Sequence, residues 1–333
     1  MADFYDARGN TYFVASPNEI GLPRAVAEAA EARGTWALRS IERICRRPSG
    51  SEASDAKKYL SDGLLVGPFP DGDAFGLLIV NTDGTLAERS GNGLTIFSQF
   101  LVDTGQADSS DAFLVRIYHD RPPLPFVEAR IEAGVREGHQ GFWIDMGIPT
   151  FGMAAVEASP EYVGVSEFHG HNVFRVLDLE KIDASWTCSQ FVNVGNPHCV
   201  TFLNSPGLLP SMEQLGSQNW LPRLTAIANS TASDGAPGAG RPCRNGINLQ
   251  WASVEGPDTI AARVFERGEG PTLSSGSSAT AVASAARKLG LLVAKTVNVD
   301  MPGGVAPVRF DERNGILERV MLFGEAKRAN PKS

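Results

Sequence analysis

Two segments far apart in the chain each pair a serine with a glycine-containing turn that runs into an apolar stretch. Residues 90–93 read Ser-Gly-Asn-Gly and precede the apolar residues 94–102, and residues 275–278 read Ser-Gly-Ser-Ser and precede 279–289. Backbone N–H groups at a turn that opens a helix form a site for an anion. Two such turns facing one another could hold one carboxylate, with a hydroxyl group on each side of its α-carbon. Stereochemical inversion needs that arrangement.

The bulk composition is that of an ordinary globular chain with room for two domains. It has 333 residues, of which 42% are hydrophobic and 20% charged, and a formal net charge of −8. The acidic balance argues against a broad nucleic-acid surface, which needs a basic face. Residues 1–6 lack a basic segment followed by an apolar run, and no apolar stretch reaches a membrane span. We therefore expect a cytoplasmic protein with no membrane or nucleic-acid partner.

Neither the cysteines nor the histidines indicate a metal or a disulfide. The four cysteines show no CxxC spacing and no disulfide framework, which predicts reduced, packed thiols without chemistry. They are Cys45, Cys188, Cys199 and Cys243. His169 and His171 form a close pair, but no carboxylate or cysteine stands at a spacing that would complete a metal site. A surface loop is the simpler interpretation of that pair.

Short β-type runs are frequent along the chain and outnumber the helical stretches. This pattern predicts a largely antiparallel α+β protein. The predicted strands are 11–15, 76–81, 112–118, 141–146, 173–177, 190–194, 199–203, 247–252, 259–265, 296–301, 305–310 and 317–322.

The predicted helices are few, and two of them follow the serine motifs. Residues 23–47 predict one or two helices with a proline in the first turn, and 212–228 predict another in which Pro222 marks a break or a new start. Residues 233–240 have the composition of a flexible loop, and the charged segment 130–138 could join two halves. One motif-bearing helix in each half suggests two similar lobes with a site in the cleft between them.

In order and spacing, several motifs resemble those of the diaminopimelate epimerase family over most of the chain. The matching segments are 9–14 (Gly-Asn-Thr-Tyr-Phe-Val), 81–85 with 90–93, 195–200 (Gly-Asn-Pro-His-Cys-Val), Asn248, 266–273, and 301–304 (Met-Pro-Gly-Gly). The resemblance implies two similar lobes, each a mostly antiparallel curved sheet around a central helix, with the active site in the cleft. The expected lobes are 1–135 with 311–333, and 136–310.

The resemblance also implies a mechanism and a set of site residues. In that family two cysteines flank the α-carbon of an amino acid without a pyridoxal cofactor, and the chemistry serves lysine biosynthesis. Backbone N–H groups of the two helix-opening turns would bind the α-carboxylate, and Glu266 would hold the ammonium group. Three asparagines and Arg267, whose planar fork suits a carboxylate, would fix a distal carboxylate. The implied binding residues are Asn10, Asn81, Gly91, Asn92, Asn196, Asn248, Arg267, Gly276 and Ser277.

Taken singly, most of these residues have a simpler interpretation. Asn196 before a proline by itself indicates a turn, and a lone His198 is more often structural than catalytic. Serines at 277 and 278 are typical helix N-caps. The functional interpretation depends on the whole set.

Both catalytic cysteine positions of the family carry serine here, Ser90 and Ser275. A thiol has a pKa of about 8.5, whereas a hydroxyl is closer to bulk water at about 15.7. The gap corresponds to on the order of 10 kcal/mol. Serine therefore needs an activating neighbour to remove an α-proton, and His198 and Glu266 are the catalytic candidates.

Other departures leave four hypotheses for the function. The residues after both motifs differ, the family's glutamine has no clear counterpart near 50–55, and the tail after Gly324 is short and lacks the family's final strand. The chain is an active epimerase or racemase with activated serines, or performs one-proton chemistry such as double-bond isomerisation, dehydration or lyase work on a carboxylate. It could instead bind an amino acid without turnover. In the fourth hypothesis, the two serines were introduced in place of the cysteines of an active enzyme; the altered neighbours Leu94, Thr95, Ser278 and Thr280 argue against it, because such a replacement would change only two residues.

The sequence-based prediction is therefore a cofactor-independent isomerase acting at the α-carbon of an amino acid. The retained asparagines and Arg267 favour a second polar or carboxylate end, as in diaminopimelate. We expect a small-molecule substrate and a homodimer.

Overall fold

The computed structural model describes residues 2–47, 58–120, 125–230 and 241–331. The chain forms two compact units, Met1–Asp145 with Phe323–Ser333, and Met146–Leu322. The predicted flexible loop at 233–240 and the region 50–55 lie outside the described residues.

Strands predominate over helices in the described part of the chain. The strands are β1 (Asp3–Ala7), β2 (Asn10–Ala15), β3 (Gly63–Asp71), β4 (Ala74–Asn81), β5 (Phe113–Tyr118), β6 (Phe126–Arg136), β7 (His139–Asp145), β8 (Thr150–Phe151), β9 (Val163–Phe168), β10 (His171–Val176), β11 (Ser189–Asn193), β12 (Pro197–Phe202), β13 (Asn248–Val254), β14 (Thr259–Glu266), β15 (Gly270–Thr272), β16 (Thr296–Met301), β17 (Gly304–Arg313), β18 (Ile316–Gly324) and β19 (Lys327–Arg328). The helices are α1 (Pro17–Ile20), α2 (Val26–Glu31), α3 (Arg33–Ile44), α4 (Gly91–Asp103), α5 (Leu177–Glu180), α6 (Met212–Leu215), α7 (Leu221–Asn229) and α8 (Gly276–Lys288).

The first unit is a mostly antiparallel sheet that curves around α4. Strands β1 to β7 pair in chain order, and the pairs β2–β3 and β4–β5 are parallel while the others are antiparallel. Helix α4 connects the parallel strands β4 and β5, as a parallel pair requires a crossover. It contacts β1, β2, β3 and β7, which include both ends of that strand order. The sheet therefore bends round the helix, as the sequence predicts.

The second unit repeats this succession of pairings around α8. β11–β12, β13–β14, β16–β17 and β17–β18 are antiparallel, and β12–β13 and β14–β16 are parallel. Helix α8 again connects a parallel pair, β14 and β16, and contacts strands from β11 to β17. The structure thus confirms the predicted α+β architecture of two similar sheet-and-helix units.

Each unit has its own apolar core. In the first, the amphipathic helix α3 buries Trp36, Ala37 and Ile41 on one face and contacts β3. Strands β3 and β4 contribute continuous apolar runs because both of their faces are covered. In the second unit, the rings of Trp186 and Trp251 lie 4.7 Å apart in the core.

The predicted strands and helices are present, with small shifts at their ends. All twelve predicted strands occur. Residues 23–47 form two helices, but the first begins at Val26, so Pro23 precedes it rather than occupying its first turn. Residues 212–228 also divide into two helices, and Pro222 stands at the start of the second, where a missing N–H costs nothing.

The segment 130–138 is not a connection between halves, and that prediction was wrong. It forms most of β6, which pairs with β7 through the turn at 137–138. Its charges lie on a strand whose second half alternates between partly buried and exposed positions, so the charges do not mark a linker. The unit boundaries accordingly fall at 145/146 and 322/323, not at 135/136 and 310/311, because the β6–β7 hairpin continues the first sheet and the β17–β18 hairpin the second.

The C-terminal tail also differs from expectation, since it forms the short strand β19. Two residues pair with β1, Lys327 opposite Asp6 and Arg328 opposite Tyr5. The tail thereby returns to the first unit. None of the described helices is long and apolar enough to cross a membrane.

Candidate active site

Ser275 is the N-cap of α8, as its motif predicts. Its side chain accepts a hydrogen bond from the backbone N–H of Ser278 at 3.3 Å, and its carbonyl accepts the first intrahelical bond, from Ala279. The next backbone N–H groups, those of Gly276 and Ser277, have no intrahelical acceptor at this position. The N-terminus of α8 therefore offers two donors beside a hydroxyl group, in a favourable dipole field for an anion.

The hydroxyl of Ser275 donates a hydrogen bond to a carboxylate. Its Oγ lies 2.5 Å from Oε1 of Glu266, the last residue of β14. Such a short O–H···O⁻ contact is charge-assisted. Ser275 is only 5% exposed, so little water competes for this bond. Of the two activating partners that the sequence suggested, Glu266 and His198, the structure brings Glu266 to the serine.

Ser90 is the N-cap of α4 in the first unit, with similar backbone geometry. Its Oγ accepts from the N–H of Gly93 at 3.0 Å, its carbonyl accepts from Leu94, and the N–H groups of Gly91 and Asn92 have no intrahelical acceptor. Thr95 and Thr280 also match, since each donates its hydroxyl at 2.8 Å to the carbonyl of the first helical residue. In the sequence both threonines stand out only as departures from the family's motifs, with no role assigned to them.

The two serines differ in what stands at the end of the preceding strand. Glu266 ends β14 nine residues before Ser275, and Asn81 ends β4 at the same separation before Ser90. Asn81 is an amide whose Nδ2 donates to Thr85 Oγ1 at 2.9 Å. An amide cannot take a proton at neutral pH, so only the second unit carries a serine–carboxylate pair at these matching positions.

Asn10 and Asn196 also occupy matching positions. Asn10 opens β2 after Gly9 (φ +90°), and Asn196 precedes β12 after Gly195 (φ +96°). This left-handed backbone is accessible to glycine without strain, which explains the Gly-Asn pair in both tight turns.

His198 is fully buried, and both of its ring nitrogens are hydrogen-bonded. Nε2 lies 2.7 Å from Oδ1 of Asn196, and Nδ1 lies 3.0 Å from Nε2 of Gln250. Burial lowers the pKa of His198 to about 3, so its imidazole is neutral across the physiological range. The structure gives it no hydrogen bond to Ser275, so the prediction that His198 activates a serine is not supported by this geometry.

We expect the buried, neutral His198 to make the protein less stable at mildly acidic pH. A histidine in the unfolded chain has a pKa of about 6.5. Below that pH the unfolded chain therefore binds a proton that the folded chain does not bind. The free energy of unfolding is unaffected by His198 above about pH 6.5. It falls as the pH drops from there toward 3, by up to about 1.4 kcal/mol per pH unit. Urea unfolding at pH 7.5, 6.5 and 5.5 measures it. Replacing the exposed His169 with glutamine should leave the slope unchanged, and equal stability at all three pH values would contradict the expectation.

Asn248 and Arg267 form a second connected pair in this unit. Asn248 Oδ1 accepts from the backbone N–H of Arg267 at 2.9 Å, and its Nδ2 donates to the carbonyl of Pro197 at 3.3 Å. The guanidinium of Arg267 donates to the carbonyl of Asn245, and the residue is exposed. The implied binding residues Asn196, Asn248, Arg267, Gly276 and Ser277 thus belong to one unit, and Asn10, Asn81, Gly91 and Asn92 to the other.

The residue that sequence analysis missed is Gln250. It is fully buried, and its amide joins His198 to Ser278. The available signal was the period of two on β13, which places Asn248 and Gln250 on the same face of the strand.

Comparison with known proteins gives the chain a family. Residues 240–328 match the family model described as diaminopimelate epimerase. The chain is 31% identical over 301 residues to diaminopimelate epimerase 2 of Nostoc sp. (strain PCC 7120), covering 90% of this chain and 85% of that protein. This chain belongs to the diaminopimelate epimerase family. A second family member, the diaminopimelate epimerase of Archaeoglobus fulgidus, is 28% identical and covers 82% of this chain and 79% of that protein.

Solved structures share the fold of this diaminopimelate epimerase family member. A hydroxyproline epimerase from Agrobacterium vitis with bound trans-4-hydroxy-L-proline superimposes with a TM-score of 0.59 at 13% identity, covering 99% of this chain and 90% of that one. A methylitaconate-Δ-isomerase gives 0.58 at 15% identity, covering 99% and 93%. At these identities the likeness concerns the fold.

The four cysteines of this family member do not occupy the motif positions, and the structure describes all of them as free thiols. Burial raises the pKa of the Cys45 thiol to about 11 and that of Cys199 to about 12, and it also raises the pKa of Cys243. Cys188 is partly exposed, and its Sγ donates to the carbonyl of Glu167 at 3.4 Å. His169 and His171 are exposed at the β9–β10 turn. Among the described residues no His, Cys, Asp and Glu cluster could hold a metal.

We expect a thiol reagent to label one cysteine of the native chain, Cys188. The thiolate is the reactive form, and the other three thiols are buried with raised pKa values. Titration with a chromogenic disulfide should release one equivalent from the folded protein and four after unfolding in urea. Rapid release of more than one equivalent under native conditions would contradict this burial, and a Cys188→Ser variant should release none.

Proposed function

We propose that this chain is a cofactor-independent isomerase that moves a proton at the carbon next to a carboxylate of an amino acid. The observation that carries the proposal is the 2.5 Å hydrogen bond from Ser275 to Glu266 at the N-terminus of α8. A serine hydroxyl is too weakly acidic to serve alone, whereas a serine that passes its proton to a carboxylate behaves as a base.

The proton transfer is a two-bond relay. The α-C–H bond of the substrate breaks and its proton goes to Ser275 Oγ, while the proton already on Oγ goes to Glu266 Oε1. The electron pair of the broken bond moves into the substrate carboxylate, which becomes an enediolate. The N–H groups of Gly276 and Ser277 would bind this carboxylate and stabilise its added charge, which a preorganised site does without reorganisation. The N–H groups of Gly91 and Asn92 form the corresponding pair at the N-terminus of α4 in the first unit, and we propose the same anion-binding role for them.

The other end of the substrate is proposed to carry a second carboxylate. Arg267 suits it by charge and planar geometry, and Asn196, Asn248 and Asn81 would contribute amide donors, with Asn10 lining the site. Relatives named diaminopimelate epimerase support a dicarboxylic amino acid such as diaminopimelate. With such a substrate, inversion of the α-carbon also needs a proton donor on the opposite face, the role that the family resemblance gives to Ser90.

A second candidate function follows from the contrast between Glu266 and Asn81. If Ser90 has no group that can restore its proton, inversion cannot turn over rapidly. The Ser275–Glu266 pair can instead remove the α-proton of a β,γ-unsaturated carboxylate and return it to the γ-carbon on the same face, while the double bond moves from Cβ=Cγ to Cα=Cβ. That reaction is a double-bond isomerisation of an unsaturated carboxylate. The likeness of fold to a methylitaconate-Δ-isomerase is consistent with it.

One assay separates the two candidates. The purified chain is incubated with each stereoisomer of diaminopimelate, and the isomer ratio is followed by chiral chromatography. In parallel, unsaturated dicarboxylic acids are followed by ultraviolet absorbance. Interconversion of diaminopimelate isomers supports the inversion, and a shift of a double bond alone supports the second candidate. If the unaltered chain catalysed neither reaction with any of these substrates, and was thus as inactive as Glu266→Gln at the same enzyme concentration, both candidate functions would be contradicted.

A cytoplasmic location and a homodimer remain predictions from the sequence. Size-exclusion chromatography with light scattering measures the second, because a dimer doubles the mass of the 35.5 kDa chain.

A further inference from the structure

The buried amide of Gln250 makes two hydrogen bonds from one nitrogen. Its Nε2 lies 3.0 Å from His198 Nδ1 and 3.0 Å from Ser278 Oγ. An amide nitrogen only donates, so His198 Nδ1 must be the unprotonated acceptor. The orientation has a consequence for Oε1, which is buried without a hydrogen-bond partner. Turning the amide over would bury an unpartnered NH₂ group with two donors instead, which is the costlier choice.

The direction of the first bond fixes the next one. Because Nδ1 of the neutral His198 carries no proton, Nε2 carries it and donates to Asn196 Oδ1 at 2.7 Å. Asn196 is thereby held with its oxygen toward His198. Its Nδ2, on the other side of the amide, carries two N–H donors for which no hydrogen bond is described, and the residue is partly exposed.

The fold itself does not require these hydrogen bonds among Gln250, His198 and Asn196, since the matching residues of the first unit cannot form them. By pairing register, Tyr12 and Gly63 of β2 and β3 stand where His198 and Asn248 stand in β12 and β13. Two residues further along the strand, Leu65 matches Gln250. Leu65 is also fully buried and packs beside Gly93, the third residue of α4, just as Gln250 bonds the third residue of α8. An apolar side chain therefore fills this position in the repeated topology, and its replacement by glutamine in the second unit needs another reason.

We propose that Gln250 is a positioning residue that fixes the tautomer of His198 and so makes Asn196 a hydrogen-bond donor to the substrate. The inference rests on the proposed function for the identity of the ligand, but not for the tautomer. It adds that the substrate group at Asn196 is an acceptor, a carboxylate or carbonyl, and not an ammonium group. The pKa of His198, lowered to about 3 by burial, keeps the ring from taking a second proton that would remove the acceptor at Nδ1.

The tautomer can be read directly in the full chain without any ligand. Histidine labelled with ¹⁵N gives long-range ¹H–¹⁵N patterns that distinguish Nε2–H from Nδ1–H, and replacing the other four histidines one at a time assigns His198. We expect Nε2–H alone, unchanged between pH 5 and 8. In Gln250→Glu the carboxylate would accept from the ring, so Nδ1 should become protonated. An Nδ1–H signal in the unaltered chain would overturn the inference.

The effect on binding is measured with two probes that share one end. Both 2-aminopimelate and lysine carry an α-amino acid group, but the far end is a carboxylate in the first and an ammonium in the second. Gln250→Leu, which copies Leu65 of the first unit, should weaken 2-aminopimelate about tenfold, the value of one hydrogen bond, and leave lysine within about twofold. Gln190→Leu is the matched control, because Gln190 is buried on the neighbouring strand β11 and no described hydrogen bond links its side chain to His198.

The outcomes separate this inference from the proposed function. Equal weakening of both probes in Gln250→Leu, or tighter binding of lysine than of 2-aminopimelate by the unaltered chain, would overturn the role of Asn196 as a donor to an acceptor group. Failure of either probe to bind, with the Nε2–H tautomer observed and altered by Gln250→Glu, would count against the proposed substrate class while the positioning of His198 stands.

Discussion

Replacing Glu266 with glutamine is expected to lower kcat/KM for proton movement by about 10²–10⁴-fold, the usual contribution of a positioned base. Glutamine has the size of glutamate and can still accept the hydrogen bond of Ser275, but it cannot take the proton that Ser275 must pass on. Substrate affinity should change less, because the loss concerns a group that acts in the transition state. Steady-state kinetics measures both quantities, with whichever substrate the isomerisation assay identifies.

Ser275→Ala should have an effect of the same size, and the double variant should be little worse than either single one, because the two groups act as a unit. Alanine also removes the N-cap of α8, which costs about 0.5–2 kcal/mol of stability, so thermal unfolding is measured alongside. Glu269→Gln is the control, since this exposed glutamate lies on the same turn as Glu266. A Glu266→Gln variant with full activity would remove the carboxylate from the mechanism.

The largest expected loss of stability comes from Gly246→Ala. Gly246 has φ +74°, which costs an alanine about 1–2 kcal/mol. A Cβ there would also lie well inside contact with the backbone oxygen of Ala228 and 2.9 Å from Cδ of Arg267. That oxygen cannot easily move, because it accepts the N–H of Ile247 at 2.8 Å. Overpacking adds about 1–3 kcal/mol, so we expect a total loss of about 2–5 kcal/mol in urea unfolding.

Gly170→Ala separates the two contributions to this loss. Gly170 has φ +79° at the β9–β10 turn, and a Cβ there would meet no atom within 4 Å. It should therefore lose only the backbone part, about 1–2 kcal/mol. If both variants were equally destabilised, the close approach of Ala228 to Gly246 would contribute nothing.

The helix-opening motifs were the part of the site most predictable from the sequence. Ser90 and Ser275 precede glycine and an apolar helical stretch, and both proved to be N-caps because a side-chain oxygen at that position satisfies an N–H that the helix cannot. The strands were equally predictable from the sequence, since buried strands such as β4 are continuous apolar runs.

What the sequence could not give depends on pairing between distant residues. The charges of 130–138 suggested a linker, but strand β6 tolerates them because part of it faces solvent. His198 was a candidate activator of serine, yet its ring is enclosed between Asn196 and Gln250, which is visible only once β12 and β13 pair in parallel. Likewise, the contrast between Glu266 and Asn81 has no meaning until the two units are seen to repeat one topology.

The two serines therefore differ in whether a carboxylate stands at the end of the preceding strand. At Ser275 the hydroxyl is hydrogen-bonded to the Glu266 carboxylate, which in the proposed relay supplies the basicity that a hydroxyl lacks. At Ser90 the matching residue is Asn81, so the hydroxyl can donate a proton but has no described carboxylate at the matching position to restore it.

Deuterium incorporation at the α-carbon measures proton abstraction directly, because it reports breakage of the α-C–H bond whether or not the product inverts. The chain and its Glu266→Gln variant are incubated in D₂O with each stereoisomer of diaminopimelate and with 2-aminopimelate, and the α-proton signal is followed by ¹H NMR. Proton abstraction by the Ser275–Glu266 pair predicts loss of that signal with the unaltered chain, at a rate at least about 10²-fold greater than with Glu266→Gln. Equal rates for the two proteins, or no exchange of a probe that is shown to bind, would contradict it.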